Sequence, residues 1–391
     1  MFAGNPTTQT GSFNMTTISI KTAFQSRGNA NNGYESKAFK NFQNYLDVIQ
    51  RRVEQQYVGT QYPAGVGNSG TFDPANGTVD KYSSDVMVPA FLAAYTGRNA
   101  ISTPLDIFPA LTRVLPNWTL SYKGLSNLPW IRDHLKNVTL THGYKSIYTV
   151  GSYNTYSSWV EYMHGSDLGY VQNTTTGGYI PSSMYDISTV SINEAFAPLL
   201  GLNVTLQNNM TLKAEYRKTR VLTLSMTSAQ INEASSTDFV FGWGYKIDDF
   251  KIGSLFSSKS SSQRASSRNK SKSKNSKGKA GDDNAPGNRA GSNNNSRSSK
   301  SNFAHALNLR FDFSIRNQDA ITRNIQTNLS EATSGNKALK ASFAADYSMS
   351  RWVTFSLYYD LQRNEPLLSS SAYPTITQDF GFNLKFTLTR Q

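Results

Sequence analysis

Residues 303–316, FAHALNLRFDFSIR, alternate without a break. Phe303, His305, Leu307, Leu309, Phe311, Phe313 and Ile315 take every second position, and Asn308, Arg310, Asp312, Ser314 and Arg316 fall on the other side. A pleated strand sends successive side chains to opposite faces, so this period of two predicts a strand with one apolar and one charged face. A soluble sandwich gives the same alternation, because one sheet face packs and the other meets water. Recurrence and length decide between the two.

The pattern recurs. Residues 138–150 alternate Val138, Leu140, His142, Tyr144, Tyr148 and Val150 against Thr139, Thr141, Lys145 and Thr149. Leu200, Leu202, Val204 and Leu206 make another stripe, ended by the Asn208-Asn209 turn signal. Residues 210–227 hold one phase through Leu212, Ala214, Tyr216, Lys218, Arg220, Leu222, Leu224 and Met226. Apolar ends around a Lys/Arg centre suggest a strand passing from one environment into another. Phe239, Phe241, Trp243, Tyr245 and Ile247 mark a further strand, and 341–347, 353–359 and 380–388 follow. In the last, Phe380, Phe382, Leu384, Phe386 and Leu388 oppose Asp379, Asn383, Lys385 and Thr387. Transmembrane strands need about 9–11 residues, apolar outside and polar inside, with aromatic girdles. At least seven segments qualify, which favours an all-β outer-membrane barrel over a soluble sandwich. Seven or eight strands are too few to close around a wide lumen, because barrel diameter grows with strand number.

The first third reads differently. Residues 1–24 are polar and Thr-rich, with a strand expected at 13–20. Over 35–57, Phe39, Phe42, Leu46, Ile49 and Val53 recur at steps of three and four, which predicts a helix. A Gly/Asn/Pro-rich loop covers 59–77, a short apolar helix is expected at 83–94, and 105–115 lies between prolines. Such periodicity marks a buried face and nothing more. No run of about 18 apolar residues is present, so a transmembrane helix is not expected. The start MFAGNPTTQT has neither a basic n-region nor an apolar h-region, so an export signal is expected to lie outside these residues. Cysteine is absent, which excludes disulfides and thiolate metal sites.

Residues 257–302 contain no apolar side chain larger than alanine. Eleven Lys or Arg stand there against Asp282 and Asp283 alone, so nine of the chain's thirteen net positive charges lie in this stretch. It cannot bury enough surface to offset its ordering entropy and is expected to be a disordered basic insertion. Its charge suits a polyanion or a solvated connection, and its lack of aromatics argues against base stacking, so no nucleic-acid partner is expected. The four histidines, His134, His142, His164 and His305, do not pair at metal-ligand spacing, and no P-loop or nucleophile elbow occurs. Neither enzymatic activity nor a cofactor or metal is expected.

Five ordered blocks, LPNWTLSYKGLSNLPW (115–130), THGYKSIYTVGSYN (141–154), NMTLKAEYRKTR (209–220), DFVFGWGYKIDDFKI (238–252) and LNLRFDFSIRN (307–317), resemble the C-terminal portion of the SprA/Sov family. The 35–57 helix and VPAFLAAYTG (88–97) are similar to it as well. Members of that family are cell-surface gliding-motility proteins of the Bacteroidetes and form a very large outer-membrane barrel, the translocon of the type 9 secretion system. The resemblance implies a conduit that passes folded cargo bearing C-terminal sorting signals to the cell surface. It also implies a PorV-type shuttle barrel at a lateral opening and a plug protein at the periplasmic end. Family members are several times longer, so the chain is expected to be a C-terminal fragment or a separate piece.

On this reading residues 1–135 are mixed loop and helix attached to the barrel, 136–256 and 303–391 are barrel strands, and 257–302 is the insertion. Asn308, Arg310, Asp312, Arg316, Asn383 and Lys385 are expected to face a wet lumen. Leu307, Leu309, Phe311, Phe313, Phe382, Leu384 and Phe386 are expected to face outer-membrane lipid. With a periplasmic C-terminus, 348–351 is a periplasmic turn, 317–336 and 365–375 are outer loops, and 257–302 is periplasmic. A porin-like or TonB-dependent solute transporter and a soluble β-sandwich adhesin are the alternatives.

Overall fold

The structure, a computed structural model, describes residues 7–64, 70–75, 78–162, 168–248, 250, 305–368 and 373–387. Strands dominate: β1 (Thr7–Thr16), β2 (Trp118–Tyr122), β3 (Leu135–Tyr156), β4 (Trp159–Glu161), β5 (Leu168–Gln172), β6 (Tyr179–Ser183) and β7 (Tyr185–Leu206). They continue with β8 (Thr211–Ser225), β9 (Gln230–Ile247), β10 (Ala306–Asn324), β11 (Ser330–Ser348), β12 (Val353–Pro366) and β13 (Thr375–Phe386). The α-helices are α1 (Ile20–Ala23), α2 (Lys37–Tyr57), α3 (Ser84–Thr96) and α4 (Pro129–Arg132).

One antiparallel sheet holds ten strands in the order β1-β3-β7-β8-β9-β10-β11-β12-β13, with β2 also paired to β3. From β7 onward it is a meander in which each strand pairs with the next. β1 and β2 share one edge of β3, β1 along 147–156 and β2 along 140–144. The first third therefore contributes two strands to the sheet as well as its helices. Among the described residues β13 does not pair with β1 or β2, so the sheet is open. β4, β5 and β6 form a small second sheet within the β3–β7 connection.

The strands are long, 22 residues in β3 and β7 and 19 in β10 and β11. At about 3.4 Å per residue, 19 residues reach roughly 60 Å, far beyond the roughly 20 Å of an ordinary strand. The stretch expected as a loop at 317–336 is mostly strand: β10 runs to Asn324 and β11 starts at Ser330. Its alternation was invisible because Asn317, Gln318, Asp319, Ser334, Gly335 and Asn336 offer no apolar face. The strand expected at 13–20 instead occupies Thr7–Thr16. The chain then bends into α1, where the Ser19 amide donates to the Tyr144 hydroxyl and the Thr22 hydroxyl donates to the Ser19 carbonyl. The 105–115 segment yields only a 3-10 turn at Leu111–Arg113.

α2 forms as its spacing predicts. Ser36 caps it by accepting from the Phe39 amide, and Phe39, Phe42, Leu46, Ile49, Val53 and Tyr57 are buried on one side. α3 is buried nearly all round and ends at Gly97, whose φ of 71° suits a residue without a Cβ. The two helices pack together over β3, β7, β8 and β9, against Tyr148, Val150, Val190, Ile192, Leu222, Leu224 and Ile231. Tyr57 and Phe72 also meet Tyr170 of the small sheet through this core. Each such side chain contributes about 1.5–3 kcal/mol by burial. The covered strand ends are those carrying the 226–229 and 325–329 turns. The other end of the sheet carries the 207–210 and 349–352 turns and the β9–β10 connection. Residues 257–302, Phe303, His164 and Leu388 lie outside the described residues.

Candidate functional site

Residues directly opposite on antiparallel strands share a face, so the register carries face identity across the sheet. Leu212 pairs Trp243, which pairs Phe311, which pairs Phe343, then Tyr359, then Phe380: six large apolar side chains on six adjacent strands. Toward the helices, Ala214, Phe241, Phe313, Ala341 and Leu361 form the next row, and Tyr216, Phe239, Ile315 and Leu339 the one beyond. Away from them lie Tyr245, Leu309, Ala345, Leu357 and Phe382, then Ile247, Leu307, Tyr347, Phe355 and Leu384. Together they make an apolar band across β8–β13, and no helix or second sheet packs on it among the described residues, although Phe250 and His305 lie against Tyr347 in its outermost row and bury it. Phe380 and Phe382 are 68% and 65% exposed, and Phe386 is equally bare.

The opposite face of the same strands is polar. One row reads Lys213, Gly242, Asp312, Ser342, Asp360 and Asp379, and another Lys246, Asn308, Asp346, Ser356 and Asn383. Arg310 sits between these rows, and Lys385 pairs Thr354 on the same side. Its charges are partly paired: Arg316 Nε lies 2.7 Å from Asp238 Oδ1, and Lys213 and Arg217 both meet Glu215. The register thus gathers Asn308, Arg310, Asp312, Arg316, Asn383 and Lys385 on one face. It gathers Leu307, Leu309, Phe311, Phe313, Phe382, Leu384 and Phe386 on the other.

The apolar face does not continue to the helices. It ends at a row of Lys218, Thr237, Asn317, Lys337 and Glu365. Above that row come two buried ion pairs. Arg220 Nη2 lies 2.8 Å from Glu194 Oε2, and Glu194 Oε1 accepts from the Tyr144 and Ser19 hydroxyls at 2.7 Å each. Arg323, 0% exposed, holds Glu233, 1% exposed, with Nε 2.8 Å from Oε1 and Nη2 3.1 Å from Oε2. Arg323 also donates to the carbonyls of Arg27 and Tyr34 and to Ser330 Oγ, while Tyr95 OH donates to Glu233 Oε1 at 2.6 Å. Arg27 in turn pairs with Asp319. Burial, reinforced by the Glu233 carboxylate, pushes the Tyr95 phenol well above its ordinary range.

These contacts fasten 19–34 and α3 to the strand wall. Buried carboxylates persist only where such donors surround them. Sequence reasoning recognised Lys218 and Arg220 as a change of environment but missed Glu194, Glu233 and Arg323. Glu194 and Glu233 lie in phase with the apolar Ile192 and Ile231, which is the signal that could have found them. His142, on the apolar face, donates from Nδ1 to the Leu199 carbonyl at 2.7 Å. No family model matches the chain, and no curated protein does.

Proposed function

We propose that the ten-stranded sheet is a section of the wall of a large outer-membrane β-barrel, with its apolar band against lipid and its polar face toward an aqueous lumen. One observation carries the reading. A single face of continuous strands is apolar and uncovered over one half, ionic along one row, and roofed by helices over the other. Water rejects so large an uncovered apolar surface, whereas lipid requires it. A soluble sandwich would have to cover the band, yet the small sheet and the helices pack only on the other half. The band also has a suitable height. From Leu307 to Ile315 the chain takes eight residue steps of about 3.4 Å, which at a strand tilt near 40° rises roughly 20 Å, close to the apolar belt of outer-membrane barrels.

The likeness of the five sequence blocks to the SprA/Sov family supports a more specific role: a wall segment of the type 9 protein translocon, serving secretion and gliding at the cell surface. In that role Asn308, Arg310, Asp312, Arg316, Asn383 and Lys385 give the lumen a hydrated, mixed-charge lining that does not adhere to folded cargo. Leu307, Leu309, Phe311, Phe313, Phe382, Leu384 and Phe386 face lipid. A PorV-type shuttle barrel, a periplasmic plug protein and cargo with C-terminal sorting signals are the partners. The barrel itself catalyses nothing. Deleting the coding region for residues 303–391 in the native cell should leave such cargo inside the periplasm. Unchanged secretion would contradict the role.

A further inference from the structure

We infer that the two lysines bordering the apolar band, Lys218 and Lys337, bind the phosphate groups of anionic lipid headgroups, an inference that rests on the lipid-facing reading of the band. Lys218 and Lys337 lie on one register row, on strands β8 and β11, immediately beyond Tyr216 and Leu339. Arg363 stands beside Leu339 on β12, where the band's border steps down by one row. Three acids share this zone, and each already has a cation: Glu194 with Arg220, Asp319 with Arg27, and Glu365 with Arg363. Among the described residues neither Lys218 nor Lys337 forms an ion pair with a carboxylate, so the border carries two uncompensated positive charges. Lys218 instead rests its ammonium over the Phe24 ring, 4.7 Å from the centroid. Phe24 lies tilted against Phe196, ring centroids 5.2 Å apart, and is itself 55% exposed.

An apolar band bordered by unpaired ammonium groups and an exposed ring matches the layering of a bilayer, where acyl chains give way to phosphates over a few ångströms. Long lysine stems lie along apolar surface and place the charge at that level. Each lysine beside an anionic membrane surface favours anionic lipid by about fivefold, and the pair by about twenty-five-fold.

The test uses the whole barrel that carries this chain, purified from outer membranes of the native cell into nanodiscs of phosphatidylcholine with one-third phosphatidylglycerol, with native mass spectrometry counting retained lipids of each class. The wild type should retain phosphatidylglycerol in preference, and Lys218→Gln/Lys337→Gln should lose most of that preference while inserting equally well. An unchanged preference in the double variant overturns the inference, as does loss of retained lipid on adding millimolar inorganic phosphate, which would mark a free-phosphate site. Absence of the wild-type protein from the outer-membrane fraction of the native cell overturns the lipid-facing reading itself, so the two failures are distinguishable. Because Lys218 touches Phe24, Lys337→Gln alone is the control for folding: it should lose about fivefold.

Discussion

Replacing Glu233 with Gln keeps the size of the side chain and removes the charge that Arg323 faces. In the folded protein the guanidinium of Arg323 is fully buried and makes two of its contacts to this carboxylate. Removing one partner of a buried pair costs about 3–5 kcal/mol, because the other charge stays in a low-dielectric site. The amide oxygen still accepts one hydrogen bond, and Arg323 keeps the Arg27 and Tyr34 carbonyls, so the low end applies: about 3 kcal/mol, or roughly a hundredfold in an opening equilibrium. The loss should be local. Arg323 and Tyr95 join the N-terminal segment and α3 to the wall, so amide exchange measured by mass spectrometry should rise about a hundredfold in α2 and α3 and hardly change in β11–β13. Arg323→Met added to Glu233→Gln should restore part of the protection only, since the Arg27 and Tyr34 carbonyls lose their donor. A rise below about threefold, or an equal rise throughout β11–β13, would refute the view that this pair holds the helical layer to the sheet.

Phe313→Arg, in the middle of the band, should lower stability in lipid by about 2–4 kcal/mol, measured by urea titration in vesicles. Arg316→Ala on the other face should cost less than about 1 kcal/mol in the same titration, since its pairing with Asp238 is exposed. Phe42→Ala, at a fully buried position of α2, should cost about 3–5 kcal/mol in the exchange of the helical layer. Alkali should loosen that layer. The Tyr95 phenol is raised in the folded state and ordinary in the unfolded one, so its contribution is intact below pH about 10 and falls as pH rises further. Exchange in α3 should therefore accelerate as the pH rises above about 10 beyond the intrinsic base dependence, and Tyr95→Phe should flatten that excess.

The sequence was most informative where one face is apolar and the other polar. The strict alternation at 307–315 and the single phase from Leu212 to Leu224 gave strands and faces that the register reproduces, because period two is the geometry of the pleat itself, while Met226, expected in the same phase, lies in the turn after β8. α2 was legible for the same reason at a period of 3.6. Legibility failed where both faces are polar. The first half of β1, residues 7–11, offers no apolar face and only Phe13 and Met15 mark its end, and the upper halves of β10 and β11 carry polar side chains toward the helical layer as well as away from it, so alternation vanishes there while hydrogen bonding continues. The partnership of Arg323 with Glu233 spans 90 residues, and only the pairing of β9 with β10 brings them together. Local pattern also tells that Leu222 and Leu224 have a buried side without telling that helices, not lipid, cover it. That distinction is tertiary.

The most direct measurement is a single-cysteine scan along β10 in the membrane-inserted protein, possible because the chain has no cysteine of its own. Cysteines at Asn308, Arg310, Asp312 and Arg316 should react with a charged, water-soluble maleimide. Those at Leu309, Phe311 and Phe313 should resist it and react with a lipid-soluble probe. Alternation of reactivity with the period of the strand is the outcome a lipid-facing band and a wet lumen require. Equal labelling of both sets by the water-soluble reagent, or protection of Arg310 and Asp312 with exposure of Phe311, would contradict it.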